Sequence, residues 1–156
     1  MAVYLVRHAV AQSRSEWGHK DDQLRPLTKR GGRQAEGLVE LLRKAEVRRI
    51  YSSPAVRCED TVAPLAKELG LEVRLAESLA EGAGGRTAYE LASELLGRKG
   101  DSVLCTHGDI VPEVLRRVAR DGAELPTELR WAKGSTWVLD ADGDRFAKAH
   151  YLAPVA

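Results

Sequence analysis

The stretch Val3-Tyr4-Leu5-Val6-Arg7-His8 decides how the chain is read. Four apolar residues, two of them β-branched, make a short run suited to a strand buried on both faces. The run ends abruptly on a cation and an imidazole. Residues 9–27 follow as a polar loop, and Thr28 is a candidate helix N-cap. Ala35, Leu38, Val39 and Leu42 then recur at the helical period, which predicts an amphipathic helix over 29–45. Gly31, Gly32 and Gly37 weaken that helix by about 1 kcal/mol each relative to Ala, and permit close packing in exchange.

The alternation of short apolar run and helical period continues outward from this unit. Arg49-Ile50-Tyr51-Ser52 reads as a strand, and Ser53-Pro54 as an N-cap followed by a first helical proline. Val62, Leu65, Ala66 and Leu69 form the apolar face of that helix, which Gly70 stops. Leu71–Leu75 alternates as a short strand, and residues 80–86 read as a loop. A helix with Ala88, Leu91, Ala92, Leu95 and Leu96 on one face follows. Ser102–Thr106 is a strand ending in the turn His107-Gly108-Asp109, and Val111, Val114, Leu115 and Val118 mark another helix. Ser135–Asp140 and Arg145–Leu152, joined by a turn at Asp142-Gly143-Asp144, predict an edge hairpin. The expected fold is one three-layer α/β/α domain over residues 1–156, with a mostly parallel sheet and an antiparallel edge strand.

The 156 residues fit one domain with a substantial core. They are 44% hydrophobic and 30% charged, with 24 Lys and Arg against 23 Asp and Glu. Near-neutrality argues against a broadly basic partner surface, so neither a nucleic-acid polymer nor a membrane is an expected partner. No apolar run approaches the roughly 20 residues of a membrane span, and Arg7 comes too early for a signal-peptide core. Cys58 and Cys105 make no disulfide framework and show no metal-ligand spacing, which suits a cytoplasmic protein with reduced thiols. Of the cations, 17 are Arg and 7 are Lys.

Ligands of open α/β sheets bind at the carboxyl ends of the strands. Three polar clusters fall at such ends: Arg7-His8, Ser52 to Arg57, and His107-Gly108. Together they offer two histidines and two arginines, a set that suits a phosphate dianion because Arg forks bind its oxygens in pairs. An arginine near a helix N-terminus is electrostatically unfavourable, so a bound anion makes sense of Arg57. His19 and His150 match no motif. The glycines at 82, 84 and 85 are no dinucleotide fingerprint, since Thr87 stands at the third glycine position. Trp17 and Lys20 are candidates for the rim of the site or for surface packing.

In order along the chain, Leu5-Val6-Arg7-His8-Ala9, Arg25-Pro26-Leu27-Thr28 with Gly31, Ser52-Ser53-Pro54 with Arg57 and Thr61, and Thr106-His107-Gly108 resemble the histidine phosphatase superfamily, also called phosphoglycerate-mutase-like. Ala9 stands where the family usually carries Gly. The likeness is to the small SixA-type branch. Val56-Arg57-Cys58, Ala63–Ala66 and Lys133–Leu139 also resemble the domain fused behind Nudix hydrolases in actinobacteria.

This resemblance implies roles. His8 would be the nucleophile that forms a phosphohistidine intermediate. Arg7 and Arg57 would grip the phosphoryl oxygens, and His107 would stabilise the transferring group. Glu81 matches the general acid, with Glu77 in reserve; SixA-type members can lack this acid. No metal and no cofactor is implied. Only the 53 positions 55 to 107 lie between Pro54 and Gly108, which leaves little chain for a lid. The expected site is therefore open, and its partner is a phosphorylated protein, such as phosphohistidine, or an accessible small phosphoester. A nucleoside di- or polyphosphate phosphatase is the alternative. A non-catalytic phosphate-binding module is a second alternative.

Overall fold

A computed structural model describes all 156 residues. Six strands form one sheet in the order β3-β2-β4-β1-β5-β6. They are β1 (Ala2–Arg7), β2 (Val47–Ser52), β3 (Val73–Leu75), β4 (Asp101–Thr106), β5 (Thr136–Asp142) and β6 (Arg145–Leu152). β1, β2, β3 and β4 pair in parallel, while β5 runs antiparallel to both β1 and β6. The antiparallel part thus sits at the edge, in the β5–β6 hairpin.

Five helices accompany the sheet: α1 (Arg14–Trp17), α2 (Lys29–Leu42), α3 (Val56–Leu69), α4 (Gly85–Glu94) and α5 (Val111–Arg120). Alternation along the central strands builds the three layers. Val3 and Leu5 of β1 and Leu104 of β4 point into one core with α4, α5 and Trp137. Val6, Val103 and Cys105 point into the other, with α2, α3 and Ile50. Each buried apolar side chain contributes about 1.5–3 kcal/mol on transfer from water.

The boundaries depart from the sequence reading where side chains have other work. The polar loop 9–27 contains α1, capped by Ser13, and a 3-10 turn over Asp22–Leu24, capped by Asp21. Thr28 does cap α2, accepting from the Gly31 amide at 3.0 Å. The helix ends at Leu42 rather than 45. A Cβ on Gly31 would come within 2.0 Å of the Val10 carbonyl oxygen, so glycine lets α2 start tight against the loop behind His8. α3 begins at Val56, not at Pro54, and Ala55 is its N-cap. The Ser53 hydroxyl is instead engaged by an imidazole. Leu71 belongs to the end of α3, donating back to Ala66 at 2.9 Å beyond a left-handed Gly70, which shortens β3.

Candidate active site

The register of the sheet assembles the site. Arg7 of β1 stands opposite Thr106 of β4, so the next residues, His8 and His107, leave neighbouring strands side by side. Backbone bonds fix both exits. The His8 amide donates to Thr106 at 3.0 Å, the Ser53 amide to Cys105 at 2.9 Å, and the Gly134 amide to His8 at 3.0 Å. The two imidazole rings lie edge to face with centroids 5.5 Å apart.

His8 is buried. Its Nδ1–H donates to the Ala9 carbonyl at 2.8 Å, which assigns the lone pair to Nε2. Burial, then the charges of His107, Arg57 and Arg7, outweigh the Ala9 bond and push the imidazole down to about 3. The ring is therefore neutral at ordinary pH, with the Nε2 lone pair free to act as a nucleophile. Thr61 steadies the loop from α3: its hydroxyl accepts the Ala9 amide at 2.9 Å and donates to the Arg57 carbonyl at 2.6 Å.

Arg7 and Arg57 flank this ring. Arg7 Nη1 donates to the Trp131 carbonyl at 2.7 Å. The guanidinium lies against Gly108, where a Cβ would stand 2.7 Å from its Cζ. Arg57 is 1% exposed; it donates from Nη1 to the Asp22 carbonyl at 2.8 Å and pairs with the Asp22 carboxylate at 3.2 Å. Three buried nitrogens among these groups have no hydrogen-bond partner in the protein: Arg7 Nε, Arg57 Nε and His107 Nδ1. Buried polar atoms are nearly always satisfied, so three orphans around one histidine point to an anion as their missing partner.

Glu81 enters from the loop before α4. Thr106 Oγ1 donates to Leu79 at 2.7 Å and the Gly82 amide donates to Asp109 at 2.9 Å, which holds that loop beside β4. The Glu81 carboxylate lies 3.1 Å from Arg14, 3.7 Å from Arg57 and 3.8 Å from His107 Nδ1. Glu77 is exposed at the start of a 3-10 turn and does not line the cavity. That cavity, of about 410 Å³, is lined by Arg7, His8, Ser13, Arg14, Arg25, Glu81, Asp109 and Lys133 among others. A larger one, of about 520 Å³ along β6, contains none of these groups.

The structure thus brings Arg7, His8, Arg57, His107 and Glu81 together and leaves Glu77 outside. His19 is exposed and His150 pairs with Asp140 at 3.6 Å. Trp17 and Lys20 stack on each other, 4.6 Å from ammonium to ring centroid, and do not line the cavity. Arg14, Asp22 and Lys133 were not singled out by sequence reasoning for the site. The first two lie in the loop 9–27, which has no periodicity to flag them. No cluster of three or more His, Cys, Asp or Glu is arranged to hold a metal ion. No helix is long and apolar enough to cross a membrane.

A family model described as the histidine phosphatase superfamily, branch 1, matches residues 3–95. The chain is 36% identical over 155 residues to the 8-oxo-(d)GTP phosphatase of Mycolicibacterium smegmatis, covering 97% of this chain but 48% of that protein. It therefore spans about half the length of the curated relative it matches. Among solved structures, the protein histidine phosphatase SixA complexed with tungstate superposes with a TM-score of 0.77 at 18% identity, over 98% of this chain and 95% of that one. The mycobacterial glucosyl-3-phosphoglycerate phosphatase gives 0.65 at 17% identity over 96% of each chain. At these identities the structural likeness speaks for the fold.

Proposed function

Because the chain belongs to branch 1 of the histidine phosphatase superfamily, we propose that it is a phosphatase working through a phosphohistidine intermediate on His8. The observation that carries this reading is a buried, neutral His8 whose Nδ1 is held by Ala9, ringed by the three unpartnered nitrogens.

In this reading the Nε2 lone pair of His8 attacks phosphorus and the bond to the leaving group breaks. Arg7, Arg57 and His107 take up the charge on the phosphoryl oxygens. Glu81, the carboxyl group nearest His107 Nδ1, supplies the proton to a leaving oxygen. Water then attacks the phosphohistidine, gives up a proton to Glu81, and releases phosphate with His8 restored.

The substrate is a phosphohistidine protein or an accessible small phosphoester. The rim supports a second reading. Arg14, Arg25 and Lys133 line the same cavity beyond Arg7; Arg14 pairs with Glu81 and Arg25 with Asp22, which leaves Lys133 to meet a second phosphate. A nucleoside di- or polyphosphate, the class named in the 8-oxo-(d)GTP phosphatase relative, would use it.

His8→Ala is expected to abolish turnover of p-nitrophenyl phosphate, a nucleoside diphosphate and a phosphohistidine peptide alike, with EDTA present and circular dichroism unchanged. Persistent activity in the variant would sink the nucleophile. No turnover of any of the three by the wild type, with phosphate binding retained, would leave a binding module.

A further inference from the structure

Behind His107 lies a group that the phosphatase reading does not use. Cys58, on the first turn of α3, is fully buried with its sulfur 3.5 Å from His107 Nε2. Ser53 Oγ meets the same nitrogen at 2.8 Å. The other buried thiol, Cys105 on β4, packs in the same core cluster.

We propose that Cys58 is a positioning residue for His107: as a thiolate it accepts from Nε2–H, keeps the imidazole doubly protonated, and so presents Nδ1–H to the substrate phosphoryl group. This rests on the phosphatase reading for its role in turnover, but the pairing of thiolate and imidazolium stands apart from it.

The chemistry around the two rings favours the assignment. His107 is 1% exposed, so an imidazolium there needs a counter-charge within reach. On the substrate side it faces His8, which is neutral, and the half-exposed Glu81 at 3.8 Å from Nδ1. Glu81 is committed to Arg14 and Arg57 and would serve the leaving group during turnover. On the rear side the neutral hydroxyl of Ser53 accepts or donates but adds no charge. Cys58 is the remaining ionisable contact.

Its own surroundings suit an anion. Burial opposes ionisation, but the neighbouring Cys105 thiol, the contact with His107 and the positive charges of His107 and Arg57 outweigh burial and hold the thiol below its ordinary value. Burial, then the contact with Cys58, pushes the Cys105 thiol well up, so Cys105 stays neutral. When Cys58 is protonated, the S–H instead points to the Thr106 carbonyl at 3.7 Å.

Three measurements test the pair. In the wild type alone, nitrogen NMR of His107 at neutral pH should show both ring nitrogens protonated; a bare nitrogen overturns the proposal. Cys58→Ala and Cys58→Ser should both lose the ultraviolet thiolate absorbance that Cys105→Ser, which keeps a hydroxyl donor at that position and Cys58 as the remaining thiol, retains. Loss in Cys105→Ser with retention in the Cys58 variants assigns the anion to the wrong sulfur and overturns it. In both Cys58 variants the alkaline limb of kcat/KM should move down by about one pH unit, about a tenfold loss on that limb. Serine preserves volume and a neutral acceptor, so a Ser variant with the wild-type profile overturns the need for charge. An active wild type with unchanged profiles in both variants refutes the positioning role while leaving the phosphatase reading intact. An inactive wild type refutes that reading, and the NMR result still decides the pair.

Discussion

His8 makes folding stability depend on pH in a way that can be worked from its environment. Its imidazole titrates at about 3 in the folded protein, against an ordinary value of 6.5. Burial is the main cause, followed by repulsion from His107, Arg57 and Arg7. The unfolded chain therefore binds the proton first as pH falls, and protonation pulls the equilibrium toward unfolding. This part of the stability is present above the ordinary value of 6.5 and is lost progressively as pH falls from there toward about 3. At pH 5 the unfolded imidazole has passed its midpoint by about 1.5 units and the folded one is still neutral. At about 1.4 kcal/mol per unit the loss relative to neutral pH is about 2 kcal/mol. Urea unfolding of the wild type and of His8→Asn at pH 7 and pH 5 isolates it. Phosphate- and sulfate-free buffers are needed, because an anion bound to the native state would stabilise by mass action. The wild type should lose about 2 kcal/mol more than the variant on going to pH 5. Equal losses in the two proteins would refute the argument, since His8 would then titrate normally.

Other perturbations address the neighbouring groups. Gly108→Ala places a methyl group 2.7 Å from the Arg7 Cζ. It should weaken inorganic phosphate binding by about tenfold or more, the effect expected for loss of a charge-assisted contact of about 1.5–3 kcal/mol, and calorimetric titration reads it directly. Asp22→Asn removes the carboxylate that pairs with Arg57 at 3.2 Å in the anion site, so product inhibition by phosphate should tighten. Weaker inhibition would show that Asp22 orients Arg57 rather than competing for it. Glu81→Gln should slow alkyl phosphate esters more than phosphoramidates, whose leaving nitrogen needs less help. Equal effects in steady-state kinetics would remove Glu81 as the acid.

The fold was legible because its central strands are short apolar runs bounded by polar residues, as in Val3–Val6 before Arg7. The site was legible where it follows those strands: His8 and His107 sit just beyond β1 and β4, and parallel register does the rest. Other parts answer to tertiary contacts that carry no local signal. Ser53 and Pro54 look like a helix start, yet the hydroxyl is engaged by His107 and the helix waits until Val56. The loop 9–27 is polar throughout, so nothing in its pattern announces that Arg14 and Asp22 reach the site while Trp17 and Lys20 do not. Cys58 reads as a core residue and is one by burial; its contact with His107 depends on how α3 lies over the end of β4.

The strand order also has a consequence in time. β1 and β2 never meet; β4 is the wedge that hydrogen-bonds to both, and it arrives in the second half of the chain. Closing such long loops delays pairing, so the central sheet waits for β4 during folding and during synthesis. His8, the proposed nucleophile, leaves β1 well before β4 is made and stays without its partner imidazole until Thr106 is in register with Arg7. On the proposed mechanism partly folded chains are catalytically silent, and the return of activity on refolding would time the insertion of a single strand.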